Sequence, residues 1–235
     1  MTNAQKFLDF YNDLDKVFAK ELNHTDYVAF SSKVRELFNK NSVVRRYVDD
    51  LYQLGSLRNA ISHQSKGGAA IAEPHFETVE LIEKILQEFK NPLKVIPKFL
   101  FEVYAVTTES DLIELLDKMK TFDFSQAPVL DESGSVIEMI STNTISRWLF
   151  GQMKHEEIIL PGVKVAELIS FIETPKNYAL ISRNTTVFEA AEIYVKASKD
   201  KKSKLDCLII THSGKSTEKL MGIVCIEDIA EYLMD

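Results

Sequence analysis

Residues 207–233 read "CLIITHSGKSTEKLMGIVCIEDIAEYL". An apolar run from Cys207 gives way to a polar turn around Ser213-Gly214, a second apolar run follows, and an amphipathic segment closes the stretch. That grammar predicts strand, hairpin turn, strand and helix. It recurs at residues 127–149, "APVLDESGSVIEMISTNTISRWL", where the turn is the shorter "DESG". Each stretch is preceded by a further strand-then-helix pattern, "VTTESDLIELLDKM" from Val106 and "ISRNTTVFEAAEIY" from Ile181. The second copy is longer by the lysine-rich "KASKDKKSK" and by its longer turn. An internal repeat of this length predicts two like units, each strand, helix, strand, hairpin, strand, helix.

Upstream of the repeat the pattern is helical. "AQKFLDFYNDLDKVFAKEL" carries Phe7, Phe10/Tyr11, Leu14, Val17/Phe18 and Leu22 at helical spacing, and "DYVAFSSKVRELFNK" continues it. "NSVVRRYVDDLYQLGSLRNAIS" predicts one long helix capped by Asn41 or Ser42, and "HFETVELIEKILQEFK" places Phe76, Val79, Ile82, Leu86 and Phe89 on one face. Asn91-Pro92 stops that helix, and the composition changes within "EFKNPLKVIPKF". The chain therefore reads as α + α/β. An antiparallel helical bundle over residues 1–92 precedes two small mixed sheets with helices over 93–235, the first repeat at about 93–150 and the second at about 160–235.

The bulk numbers narrow the function classes. A 45% apolar and 27% charged composition is that of a globular protein. The start "MTNAQKFLDF" has no basic segment leading into an apolar one, and no apolar run approaches the ~20 residues of a membrane span. The two cysteines, Cys207 and Cys225, lie in strand-like segments and suit buried thiols, so a cytoplasmic location is expected. The net charge is -7, of which residues 1–92 hold -1 and the rest -6. This excludes a broad cationic surface for duplex DNA but leaves room for a local contact with single-stranded RNA in the first part.

The repeat resembles the CBS domain pair. The residues that carry the likeness are "APVLDESG" and "GIVCIEDIAEYL", the latter fitting a Gly-apolar-x-Ser/Thr-x-x-Asp signature at Gly222, Cys225 and Asp228. In the first copy "EMISTNTI" offers Ser141 and Thr144, so one copy keeps the hydroxyl and the other the carboxylate. The resemblance implies adenine-nucleotide binding (AMP, ADP, ATP or a related nucleotide) in two clefts between the repeats, with regulation and not catalysis as the consequence. It implies one cleft with Asp228 and Cys225 facing Tyr104, Phe124, Ser125 and Gln126. In the other, Ser141 and Thr144 face Thr174, Asn177 and Ala179. A carboxylate suits the vicinal ribose hydroxyls because charge-assisted hydrogen bonds are the strong ones.

At the end of the third helical stretch, "RNAISH" spaces Arg58, Asn59 and His63 as RNxxxH. With a small-residue loop and another amphipathic helix after it, this resembles the HEPN family over about residues 1–90. The resemblance implies a homodimer that combines two motifs into a metal-independent RNA-cleaving cleft. There His63 would move the 2′-hydroxyl proton, Arg58 would stabilise the phosphorane, and Asn59 would orient one or the other. On an ideal helix Gly55, Asn59 and His63 share a ridge, which Gly55 leaves low enough for a second helix to approach. The other reading is that Arg58, Asn59 and His63 cap the helix in a dimerisation or partner-binding module without catalysis. The remaining histidines stand singly, so no metal site is expected.

Overall fold

The computed structural model describes residues 1–63, 72–153, 160–199 and 205–233, with the side chain of His63 outside that set. The chain divides into two compact units, Met1–Leu93 and Lys94 onward.

The first unit is helical: α1 (Asn3–Glu21), α2 (Phe30–Phe38), α3 (Ser42–Arg46), α4 (Val48–His63) and α5 (Phe76–Lys90). Phe7, Leu14 and Phe18 of α1 are fully buried together with Leu51 of α4 and Ile82 and Ile85 of α5. Phe18 stacks on Phe30 with ring centroids 5.5 Å apart and meets Phe89 at 4.7 Å. The single helix expected after Asn41 is two, bent at Tyr47. Asn41 does cap the first, its side chain accepting from the Val44 N–H at 3.1 Å. Asp49 and Asp50 fall in the first turn of the second, where the exposed amide ends favour acidic side chains. The face expected on α5 is also shifted: Phe76, its first residue, is 57% exposed, and Ile85 is buried instead. The space that Gly55 leaves is filled from within the unit. A Cβ there would lie 3.5 Å from the Phe30 ring and 3.8 Å from the Tyr11 hydroxyl, ordinary contact distances within the unit.

The second unit begins with one helical turn, α6 (Val95–Lys98), followed by α7 (Leu112–Phe122), β1 (Gln126–Leu130), β2 (Val136–Ser141), α8 (Thr142–Gln152) and α9 (Val165–Leu168). Then come β3 (Tyr178–Ser182), α10 (Val187–Lys199), β4 (Cys207–Thr211), β5 (Gly222–Val224) and a 3-10 turn over Glu227–Tyr232. In the second repeat β3 pairs parallel with β4, which pairs antiparallel with β5. In the first, β1 and β2 are antiparallel, and the expected leading strand shrinks to Val106. Its N–H donates to Pro128 and its carbonyl accepts from Leu130. The closing helix of the second repeat is likewise reduced to the 3-10 turn. Ile229 is the only residue of that turn that is buried, whereas α8 buries Thr144, Ile145 and Trp148. One anchor does not make the apolar face an α-helix needs.

The two repeats exchange their leading segments. Val95, Ile96 and Phe99 precede the first repeat in sequence but join the core of the second, with Ile181, Val187, Leu208 and Ile229. Val163, Val165 and Leu168 precede the second repeat but complete the core of the first, with Leu112, Ala127, Ile140 and Trp148. Matching backbone contacts fix both: the Val95 N–H donates to Thr185 at 2.9 Å and the Val165 N–H to Ser110 at 3.0 Å. Gly222 is small for this reason, since a Cβ there would overlap the carbonyl oxygen of Phe99. A third cluster, Val136 and Met139 of β2 with Cys207, Ile209 and Ile223, packs the two sheets against each other.

Candidate functional site

Between the two repeats lies a cleft of about 250 Å³. The start of β1 brings Ser125 and Gln126 to it, the end of β2 and the first turn of α8 bring Ser141 and Thr144, and the approach to β3 brings Thr174 and Asn177. Six of the sequence candidates thus meet in one place, although Ser125 and Gln126 were expected in the other cleft, beside Asp228 and Cys225. Ala179 is not among the lining residues; it sits in β3 opposite Leu208 and packs on the second repeat's core.

The hydroxyls of this cleft also hold the fold. Ser141 caps α8, its Oγ accepting from the Thr144 N–H at 3.3 Å and lying 3.2 Å from the Thr144 hydroxyl. In the second repeat the bond runs the other way: one Asp228 carboxylate oxygen accepts from the Cys225 N–H at 2.7 Å, three residues behind it, and the 3-10 turn has no side-chain cap of its own. The signature positions therefore satisfy backbone amides where each closing segment begins. Gln126 joins the repeats by donating from its amide to the Cys225 sulfur at 3.2 Å. Burial pushes the Cys225 thiol up to about 11, so it stays protonated at neutral pH and is no nucleophile. Tyr104 and Phe124, expected beside Asp228, pack on each other at 5.6 Å along the edge of the first repeat's core.

Three carboxylates in the cleft were not among the sequence candidates. Glu138 is 7% exposed and accepts from the Lys176 N–H at 2.9 Å. Glu173 accepts from the Asn143 amide at 3.1 Å and lies 3.8 Å from the Arg147 guanidinium. Asp206 is exposed at the cleft's edge. One signal was available: Asp206 stands immediately before β4 as Ser125 stands before β1, so laying the two copies over each other points to it. The lysine-rich residues 200–204 lie outside the described residues.

The helical unit has a pocket of its own, about 360 Å³, lined by Tyr11, Asp15, Tyr27, Tyr52, Arg58 and Asn59 among others. Arg58 lies over the Tyr11 ring, 5.7 Å from its centroid, and donates to the Asn59 amide oxygen at 3.3 Å. The Arg58 Nε is buried without a hydrogen-bond partner among the described residues. Asp15 is paired with the buried Lys33 at 2.6 Å, so the pocket retains the Arg58 charge. The side chain of His63, the third member of the spaced motif, lies outside the described residues.

The repeat topology, the shared cleft and the exchanged leaders define a tandem two-repeat module. The CBS domain family model matches residues 101–151 and 172–235, so both repeats are similar to CBS domains. Among solved structures, a CBS domain-containing protein from Kribbella flavida is 16% identical, covering 61% of this chain and 99% of its own, with a TM-score of 0.45. CBSX2 of Arabidopsis thaliana, solved with AMP, is 17% identical over 59% of this chain and 94% of its own, with a TM-score of 0.42. The CBS domain pair of protein MJ0100, solved with 5′-methylthioadenosine and S-adenosyl-L-methionine, is 15% identical over 60% and 95%, with a TM-score of 0.40. No curated protein matches the chain in sequence. No described helix is long and apolar enough to cross a membrane.

Proposed function

We propose that this protein is an adenine-ligand sensor whose CBS pair regulates the helical unit. The observation that carries the reading is the cleft between the repeats, where Ser125, Gln126, Ser141, Thr144, Thr174 and Asn177 converge. Hydroxyls and amides at that density suit a ribose and the edge of a purine, and they are supplied by both copies, so a ligand there ties the repeats together. AMP, ADP, ATP and related adenine nucleotides are the ligand class, with Asp228, Cys225, Tyr104 and Phe124 belonging to the second cleft of the pair and Ala179 backing the first. The protein acts as a cytoplasmic homodimer.

The test is thermal unfolding of the full chain with a panel of adenine and guanine nucleosides and nucleotides. A ligand at a hundred times its dissociation constant adds about 2.7 kcal/mol of stability, which raises the midpoint by several degrees. Adenine compounds shift it and guanine compounds do not. No shift with any of them at millimolar concentration removes the sensor reading.

The output proposed for the helical unit is metal-independent cleavage of single-stranded RNA by Arg58, Asn59 and His63. It is supported by the Arg58 Nε, which has no hydrogen-bond partner among the described residues, in a pocket that keeps a positive charge. Cleavage in EDTA leaving 2′,3′-cyclic phosphate ends, lost in His63→Ala and Arg58→Ala by ~10²–10⁴-fold, is the expected outcome. A second reading is favoured by the packing of Arg58 on Tyr11 and Asn59, contacts internal to the unit. Here the pocket only holds the helices as a partner-binding module, and both variants lower stability with no cleavage to lose.

A further inference from the structure

The pocket of the helical unit is walled by α1, the segment before α2, the first turn of α2, and α4. Hydrogen-bond donors and aromatic rings dominate it. Arg58 has no carboxylate partner among the described residues, and its one side-chain bond goes to the Asn59 oxygen. That bond leaves the Asn59 amide nitrogen as a donor on the same wall. Asp15, the acid in the lining, is held by Lys33 at 2.6 Å.

The start of α2 adds donors of its own. Ala29 stands at its N-cap and offers no side chain that can accept. The Ser32 and Lys33 N–H groups turn to the Ala29 carbonyl at 3.0 and 3.1 Å, whereas those of Phe30 and Ser31 have no acceptor among the described residues. An uncapped helix start carries partial positive charge on such amides. Phe30 and Ser31 both line the pocket, beside Arg58 and Asn59. The rings differ in their surroundings. Tyr11 and Phe30 pack on each other at 4.6 Å, but Tyr27 is 94% exposed and Tyr52 38%. Exposed rings beside a wall of donors suit a ligand that joins an anion to a planar ring, as a nucleotide does.

We propose, building on the RNA reading of this unit, that the pocket grips one nucleotide, whether or not a strand is then cut. Arg58, Asn59 and the first amides of α2 hold its phosphate, and Tyr27 and Tyr52 offer stacking faces to its base. A free nucleotide and one unit of a single strand present the same chemistry.

The experiment is calorimetric titration of the full chain, at one ionic strength, with UMP and with a short 2′-O-methyl oligouridylate. The methyl group prevents attack by the 2′ oxygen, and uracil keeps both probes apart from the adenine ligands proposed for the repeats. Ala29→Asp gives α2 the cap it lacks and sets a carboxylate at the phosphate's place. It raises the unfolding midpoint and weakens binding at least about tenfold. The double variant Tyr27→Ala, Tyr52→Ala weakens binding at least about fivefold. A strand bound more tightly than UMP identifies single-stranded RNA as the source, and the reverse order a free nucleotide; either supports the assignment. Binding of neither probe overturns it, as does binding that Ala29→Asp or the double variant leaves unchanged. Cleavage of unmodified oligouridylate in EDTA is measured separately, so the cleavage reading can fail while this assignment stands, or survive its loss.

Discussion

Asp228 shows how a signature residue holds the local fold. One of its carboxylate oxygens accepts from the Cys225 N–H, just ahead of the 3-10 turn that begins at Glu227, and in the proposed sensor the other oxygen faces a ligand. Asp228→Ala therefore costs stability as well as any binding: about 1 kcal/mol in urea unfolding, as for loss of a helix cap. Asp228→Asn keeps an acceptor oxygen and loses less. Gly222 gives a sharper case, because the Phe99 carbonyl oxygen occupies the place of its missing Cβ. Gly222→Ala has to move backbone, and a loss of roughly 1–3 kcal/mol is expected from overpacking. The spacing of Gly222, Cys225 and Asp228 was legible in the sequence because one short turn contains all three. Glu138 and Glu173 were not, because separate segments bring them to one cleft and no local spacing records that; Asp206 was legible only by laying one copy over the other. The neighbours of Gly55 were hidden for a related reason: helical periodicity identifies the ridge but not that Phe30 and Tyr11 lie beside it.

The two hairpins show one device in two forms. In the short turn Asp131 closes the loop itself, accepting from the Ser133 N–H, the Ser133 hydroxyl and the Ser135 N–H, and these hydrogen bonds hold its carboxyl below the usual range. Gly134, at φ 83°, completes the reversal in a conformation that other residues rarely adopt. In the longer turn the carboxylate comes from the far side. Glu218 accepts from the Ser213 hydroxyl and N–H at 2.6 Å each and from the Thr211 hydroxyl at 2.9 Å. Those bonds, Ser213's first, pull its carboxyl down to about 2. The folded value lies below the ~4.3 of an unfolded glutamate, so the folded state gains stability above that pH and loses it as pH falls toward 2. Unfolding midpoints measured from about pH 6 down to pH 3 should fall in the wild type and fall less steeply in Glu218→Gln. The strand–turn–strand pattern was plain in both stretches. The missing α-helix after β5 was not, since Ile226, Ile229, Ala230 and Leu233 recur at helical spacing.

Across the whole chain, the repeat announced two like units, but the exchange of leaders was hidden. "LKVIPKF" and "GVKVAEL" each put a lysine and a valine before a short apolar turn, and periodicity alone assigns each to the repeat it precedes. Burial assigns them the other way. Phe99→Ala is thus expected to cost about 3–5 kcal/mol, a typical price for a truncated core phenylalanine. Hydrogen exchange should report the damage in β3, β4 and α10, not in β1 and β2. The exchange also fixes an order of events during synthesis. Val95, Ile96 and Phe99 leave the ribosome before any of their core partners exist, and the first repeat is closed only when Leu168 has emerged. Until β4 and Ile229 follow, three apolar side chains wait without cover at the junction behind the helical unit. That interval is the nascent chain's most exposed moment and the point at which a chaperone would have most to hold.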